Sequence, residues 1–370
     1  MLLQKHGSPE QVVAHLRQEC HSRPVEMRLD LQVFLNALGA EEESFKVSSE
    51  LLQLAPRDPR VLFNRGWHLL KRQQLREGLA LLEHGRALGT YGHSPLLSSR
   101  PLWQKKQGHG HRVLLVLEGG FGDELIHFRF GKDLTEKYGC KVTVICHPAL
   151  ASLFSRQPWV CGLAQREAAL GIYHDSWLPG MSAALAMDYE YSDLSAASYI
   201  IADPLKVKAM NPLFKTDKIK IGIRWAGNPQ FEHQQLRRFP PEILTGLSRV
   251  PGVQLYSFQR DENLIPLSAE IIDLAPSLKT WDDTAAALSH MDLVISSCTS
   301  VAHLSAALGK KTWVVTPALP YFTWAPPGER SPWYETVSVI RQSRFGLWDD
   351  VEIQIKKKVM DYAAQFAALR

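Results

Sequence analysis

Two stretches of this chain place residues capable of chemistry where an apolar run gives way to a helix. In RVLLVLEGGFGDELIHFRF, residues 112 to 130, glycines at 119, 120 and 122 lead into Asp123, a carboxylate positioned to take a proton at the end of a strand. In DLVISSCTSVAHLSAALGKKTWVV, Thr299 and Ser300 open a helix that carries His303 one turn on. The unbonded N–H groups and positive dipole of such a terminus suit a phosphate, and the hydroxyls of Ser297, Thr299 and Ser300 add donors. A third stretch, GIRWAGNPQFEHQQLRRFP, ends a strand at Trp225 and then supplies Arg237 and Arg238, whose planar forks match a diphosphate. Gln259 and Arg260 end a further strand, where an amide could read a nucleobase or a ribose. Each group also has a plainer reading: Asp123 and Thr299 as helix caps, His303 as a packed histidine, the arginines as solvated loop residues. Residue type and spacing leave both readings open.

Several chemistries are disfavoured. The glycines read G-G-x-G rather than G-x-G-x-x-G, and no acidic residue follows the next strand, KVTVICHP, so a dinucleotide site is a poor match. The five cysteines, Cys20, Cys140, Cys146, Cys161 and Cys298, are odd in number and lack C-x-x-C spacing, which argues against a disulfide framework or structural zinc. Cys298 beside His303 lacks the third, orienting group of a thiol nucleophile. No acidic or histidine cluster has metal-ligand spacing, so neither metal nor cofactor is expected. A net charge of +4 without a basic, aromatic-interleaved tract argues against nucleic acid as partner. Apolar content of 45% and charged content of 22% suit a globular protein; without a signal-like apolar core or a membrane-length run, the expected location is the cytoplasm.

The elements that must position these groups fall into three parts. Residues 1–95 read as an all-helical domain, with helices expected at 8–19, 25–38, 41–54, 59–72 and 75–88. Displacing the chain by 34 residues superposes Leu29 on Phe63, Val33 on Trp67, Leu35 on Leu69, Phe45 on Leu79, Val47 on Leu81 and Leu54 on Leu88, the period of tetratricopeptide helix pairs. Two such units are few for an independent stack, so this part is expected to lean on the neighbouring domain or on another chain. It is read either as a helical cap or as a surface for a peptide or protein acceptor. Residues 96–215 begin with a linker and alternate strand 112–117, helix 122–138, strand 141–146 and helix 148–156. Residues 216–370 repeat the alternation through strands near 219–225, 253–259, 270–273, 293–296 and 312–316, helices at 282–290 and 299–308, and a terminal helix from Asp349. Such alternation implies parallel sheets, hence two α/β domains facing across a cleft.

Taken together, Pro101-Leu102-Trp103, EGGFGDELIHFRF, GIRWAGNP, Arg238-Phe239-Pro240, WDDTAAAL, MDLVISSCTSVAHLSAALGKKTWV, SPWY at 331–334 and Ile340-Arg341-Gln342 with Trp348 resemble the tetratricopeptide-containing GT-B glycosyltransferases related to glycosyltransferase family 9, the ADP-heptose:lipopolysaccharide heptosyltransferases. The resemblance implies an α/β, GT-B type fold of two Rossmann-like domains behind the helical one, and an inverting, metal-independent transfer of a sugar from a nucleotide sugar to a hydroxyl of a protein or glycan acceptor. It casts Asp123 as general base and Arg224, Trp225, Asn228, Arg238, Gln259, Thr299, Ser300 and His303 as donor-binding residues. Gly120, Gly122 and His127 fall on the acceptor side. Two departures stand out: Cys298 occupies a position that is commonly Asp in relatives, and Gly119 replaces a commoner Gln. A non-catalytic scaffold of helical repeats on a degenerate GT-B body is the alternative.

Overall fold

The computed structural model describes residues 8–92, 98–106, 109–229, 237–260 and 268–368. Parts of the expected linker and of the GNPQFEHQQLRRFP stretch lie outside the described residues.

Helix Pro9–Glu19 is followed by two antiparallel pairs, Pro24–Ala37 with Glu41–Leu54 and Pro59–Lys71 with Leu75–Leu82. Prolines at the first turns of three of these helices fit positions whose N–H would be unbonded in any case. Gly66 and Gly78 let the last pair cross closely, since a Cβ on Gly66 would sit 2.8 Å from the Gly78 carbonyl and one on Gly78 would sit 2.7 Å from Leu70. The early helices enclose their own core around Leu16, Leu35 and Leu51. Leu70, Leu75, Leu79, Leu82 and Tyr91 instead join the core of the α/β body, so the second pair is fused to that body.

The first sheet has the order β3-β2-β1-β4, with β1 Arg112–Val116, β2 Lys141–Ile145, β3 Val160–Ala164 and β4 Ser176–Pro179, all parallel. Strands β3 and β4 are additions to the expected alternation. The expected helix 122–138 is divided into Phe121–His127 and Arg129–Glu136; at the joint the Arg129 Nε donates to the Ile126 carbonyl.

The second sheet, β10-β11-β9-β8-β5-β6-β7, comprises β5 Ile219–Arg224, β6 Val253–Ser257, β7 Ile271–Asp273, β8 Leu293–Ser297, β9 Thr312–Thr316, β10 Arg330–Ser331 and β11 Tyr334–Arg341. It is parallel apart from β10, which runs antiparallel to β11. The terminal helix Asp349–Ala368 buries Val351, Ile355 and Val359 against one face of this sheet. Segment Pro204–Phe214 lies on the second body rather than the first, since the His290 ring stacks on Phe214 and its Nε2 meets the Val207 carbonyl.

The connectivity creates one reversal in each sheet. From β1 the chain proceeds to β2 on one side while β4 lies on the other; from β5 it proceeds to β6 while β8 leads away to β9. In open α/β sheets ligands bind beyond the carboxyl ends of strands at such reversals. Helix Phe121–His127 comes after β1 and helix Ser300–Ala307 after β8, so both expected chemical stretches leave their sheets at a reversal.

Candidate active site

The turn after β1 is shaped around Asp123. Gly119 has φ +81°, and a Cβ there would lie 2.6 Å from Asp123 Oδ2, so both backbone and space demand glycine. Gly120 is the N-cap of the helix, and its N–H donates to Asp123 Oδ2 at 2.9 Å. The cap reading and the chemical reading therefore divide the carboxylate: Oδ2 closes the helix, while Oδ1 faces the second domain. There it accepts a 2.6 Å hydrogen bond from the Tyr321 hydroxyl. Burial pushes the Asp123 pKa up, opposed by the Tyr321 and Gly120 hydrogen bonds and the charge of Arg237.

The two helix starts abut. A Cβ on Gly122 would lie 3.1 Å from His303 Cδ2 and 3.7 Å from Ser300 Cα, so Gly122 allows the Ser300 helix to pack on the Phe121 helix. Thr299 is the N-cap, with extended backbone, and its hydroxyl lies 3.1 Å from the Ser296 hydroxyl rather than on the helix's own N–H groups. At the end of β8, the buried Ser297 hydroxyl has no hydrogen-bond partner among the described residues. Gly227, after β5, meets this corner, since a Cβ there would lie 3.1 Å from Thr299 Cγ2 and 2.5 Å from Arg237 Nη2. Arg237 donates to the Cys298 carbonyl at 3.1 Å. The loops after β5 and β8 thus close on each other at the reversal, with a guanidinium between them.

His303 is neutral here, its pKa lowered to about 3 chiefly by burial and then by the charge of Arg129. Its ring stacks on Trp324 at 5.0 Å, and Nδ1 lies 3.0 Å from the Tyr334 hydroxyl. Tyr199 donates its proton to the Leu125 carbonyl at 2.9 Å and accepts from Arg129, and its hydroxyl lies 3.2 Å from that of Tyr334, so the Tyr334 proton can go to Tyr199 or to His303 Nδ1. The Cδ2–Nε2 edge of the ring is turned toward Gly122, and a Tyr334 proton on Nδ1 would put the imidazole hydrogen on Nε2. Arg129, 3% exposed, lies over the Tyr199 and Tyr334 rings and also donates to the Ser195 and Trp333 carbonyls, joining the two α/β bodies.

Several expected ligand contacts are redirected by the geometry. Trp225 is 1% exposed and packs in the core of the second sheet, which removes its ring from any ligand. Arg224 is buried and donates to the Phe258 carbonyl at 2.8 Å, bracing β5 against the loop after β6. The Gln259 carbonyl oxygen accepts from the Trp225 and Ala226 N–H groups; its buried Nε2 has no partner among the described residues. Arg238 is exposed, and it is Arg237 that reaches the β5–β8 corner. Asn228 is exposed at the margin of the same loop. His127, expected on the acceptor side, is 1% exposed, bonds the Asp123 carbonyl through Nδ1 at 2.7 Å and lies between the rings of Phe130 and Phe322. Burial holds its pKa down at about 4, so it is a neutral helix-packing residue.

Cys298 is enclosed and accepts a hydrogen bond from the Trp324 indole at 3.0 Å, while burial pushes its thiol up to about 11. It is therefore no thiolate nucleophile at neutral pH. Tyr321 and Trp324 line the site through Asp123 and Cys298, and the sequence pattern does not single them out; both arrive on the loop between β9 and β10, which has no periodicity to flag it. Among the described residues no group of three or more His, Cys, Asp or Glu side chains could hold a metal ion, and no helix is long and apolar enough to cross a membrane.

The helical domain reaches this turn directly. Glu118, 2% exposed at the end of the first-sheet strand, receives Arg86 Nη1 and Nη2 at 2.7 and 3.0 Å. Trp67 sets its ring edge-on to Tyr321 and Phe322, with centroids 5.9 and 6.2 Å away. Farther along, Arg344 pairs with Glu10 and the Phe345 N–H bonds the Ala37 carbonyl, so the helices span both α/β bodies. Two surface recesses, of about 270 Å³ beside Gln73, Tyr191 and Pro326 and about 520 Å³ beside Arg100, Leu170 and Tyr173, are not lined by Asp123. Asp123 is itself partly exposed, with Oδ1 taken by the Tyr321 hydroxyl.

No family model matches the chain. It is 25% identical over 344 residues to Protein FlbA of Caulobacter vibrioides, over 78% of this chain and 56% of FlbA, so it spans about half the length of that curated relative. Among solved structures it is similar to the E. coli ADP-heptose LPS heptosyltransferase II, with a TM-score of 0.49 and 13% identity over 67% of this chain and 98% of that one. It is also similar to a glycosyl transferase family 9 protein from Veillonella parvula, with a TM-score of 0.49 and 12% identity over 68% of this chain and 90% of that one. Neither likeness by itself assigns a reaction.

Proposed function

We propose that this chain is an inverting glycosyltransferase of GT-B architecture, moving a sugar from a nucleotide sugar to a hydroxyl of a protein or glycan acceptor. The observation that carries the reading is the meeting of the two sheet reversals, which packs Gly122, the residue before Asp123, on the start of the Ser300 helix and turns Asp123 Oδ1 to Tyr321 of the second domain. The nucleoside diphosphate would lie at that terminus, where the Thr299 and Ser300 groups, His303 Nε2–H and Arg237 supply donors and positive charge. Asp123 Oδ1 would take the acceptor proton as the acceptor oxygen attacks the anomeric carbon. The bond from that carbon to the diphosphate oxygen breaks on the opposite side, and the diphosphate leaves with the electron pair. Arg237 and the helix terminus would serve in place of a metal ion. The helical pairs, read as tetratricopeptide-like, would hold the acceptor, and an intracellular supply of nucleotide sugar makes the cytoplasm the fitting location.

A second reading, a non-catalytic scaffold, draws on the Cys298 sulfur engaged by Trp324 where relatives of the resembled family carry an acid. A thermal-shift panel of UDP-, ADP- and GDP-sugars with their free diphosphates separates the two. Binding at one hundred times Kd adds about 2.7 kcal/mol of stability, a readily measured rise in melting temperature. The transfer reading expects one nucleotide class to give this rise; no shift from any of them at millimolar concentration favours the scaffold.

A further inference from the structure

The loop between β9 and β10 carries three aromatic residues in four positions, Tyr321, Phe322 and Trp324, and they are held unequally. Phe322 and Trp324 are each 1% exposed, and the Trp324 indole is tied to Cys298. Arg341 ties the Trp324 carbonyl from β11, and the Ala318 N–H is held by Gln342 Oε1 at 3.2 Å. Tyr321 alone of the three keeps solvent exposure, and its hydroxyl ends on Asp123 Oδ1. A rotation of this one side chain, with its neighbours still anchored, would free Asp123 Oδ1.

A phenol donating to Oδ1 has the chemistry of the acceptor hydroxyl that the transfer reading places there. Asp123 Oδ2 is already held by the Gly120 N–H, so an acceptor and Tyr321 compete for the same oxygen. Resting on that reading, we propose that Tyr321 is an acceptor-mimicking latch, bonded to Asp123 Oδ1 and displaced by the incoming acceptor. The seat of the latch belongs to the helical domain, because the Trp67 ring lies edge-on to Tyr321 while also touching Phe322. Contact of an acceptor with the helical pairs near Trp67 would loosen the ring whose hydroxyl occupies the base. Until then Oδ1 is occupied by the phenol and cannot take a proton from water, which would otherwise act as acceptor and hydrolyse the donor.

The test is the rate at which a water-soluble carbodiimide and glycine ethyl ester modify Asp123 in the full chain, read by peptide mass spectrometry, with exposed Asp188 as the internal control. Tyr321→Ala is expected to be modified several-fold faster than wild type at Asp123 and equally at Asp188. Tyr321→Phe, which keeps the ring and its stacking but loses the hydroxyl, should fall between them. Trp67→Ala, with Tyr321 intact, should also gain at Asp123. Near-UV circular dichroism checks that each variant remains folded, and Tyr321→Phe carries the test should the alanine variants not. Wild-type rates in both Tyr321→Phe and Tyr321→Ala overturn the latch and leave the transfer reading untouched. Failure of every nucleotide to bind would remove the transfer reading whatever the labelling shows.

Discussion

Replacing Arg86 by methionine should destabilise the protein by about 3–5 kcal/mol, the usual consequence of removing one partner from a buried ion pair. The Glu118 side chain is 3% exposed and the Arg86 side chain 16%, and two charge-assisted hydrogen bonds of 2.7 and 3.0 Å join them. Arg86 also bonds Glu83 at 2.7 Å and the Ser182 hydroxyl at 2.8 Å. A methionine side chain retains most of the aliphatic volume, so the loss isolates the guanidinium rather than a cavity. Without that charge the Glu118 carboxylate is left buried one residue before Gly119, at the base of the Asp123 turn. The double variant Arg86→Met with Glu118→Gln should recover a substantial part of the loss, because neither desolvated charge remains. Urea unfolding followed by tryptophan fluorescence and by far-UV circular dichroism gives the four stabilities of the cycle and shows whether the helical and α/β parts unfold together. A single variant within about 1 kcal/mol of wild type, the range of an exposed pair, would refute the claim that this pair fastens the helical domain to the site.

Other consequences arise from the same geometry. His68, His127 and His303 are buried and neutral, with pKa values lowered to about 3, 4 and 3, mainly by burial. As pH falls from about 6.5 toward 4 the unfolded chain takes up these protons first, so they make stability fall with falling pH. Glu124, raised to about 7 by burial, acts in the opposite sense between about 4.5 and 7 and offsets part of that slope. His68→Asn should reduce the slope of stability against pH near pH 5.5 by about one proton, or about 1.4 kcal/mol per pH unit; an unchanged slope contradicts the assignment. Gly119→Ala forces a left-handed alanine and a Cβ against Asp123, and should cost about 1–3 kcal/mol in urea titration. For nucleoside diphosphate affinity, Arg237→Ala should weaken binding by about tenfold or more, as loss of a charge-assisted contact does, whereas Arg238→Ala should leave it close to wild type; equal effects would dissolve the distinction between them.

The elements that periodicity exposes were legible from the residues. β1, β2, β5, β6, β8 and β9 and the first four expected helices have structural counterparts close to the expected limits. β3 was not legible because VCGLA interrupts its apolar run with Gly162, whose missing side chain accommodates Thr143 on the neighbouring strand. β4 has only four residues and ends in Pro179, and its pairing with β1 is a tertiary fact. β11 joins the sheet through β9 across an irregular loop, so its place depends on packing that no local pattern encodes.

At the site, Asp123 and the Thr299–Ser300 start were legible because a strand, a glycine or polar turn and a helix occur in sequence, and that grammar fixes where a side chain emerges. Arg224 and Gln259 also stand at strand ends, yet Arg224 Nη1 and Gln259 Oε1 bond the backbone of neighbouring loops. Residue type cannot distinguish a group that faces a ligand from one that satisfies a buried carbonyl. The choice between Arg237 and Arg238 turns on one residue of phase in a loop. Tyr321 meets Asp123 from 198 residues away along the chain, on a loop that no local pattern marks.

The most direct test of the central claim compares Asp123→Asn with wild type on whichever nucleotide sugar the panel identifies, measuring donor affinity and donor turnover on the same preparation. A base that only takes the acceptor proton predicts a loss of turnover of about a hundredfold or more with donor affinity unchanged, since the donor is assigned to the Ser300 helix and Arg237. Turnover in Asp123→Asn within a few-fold of wild type would contradict the account.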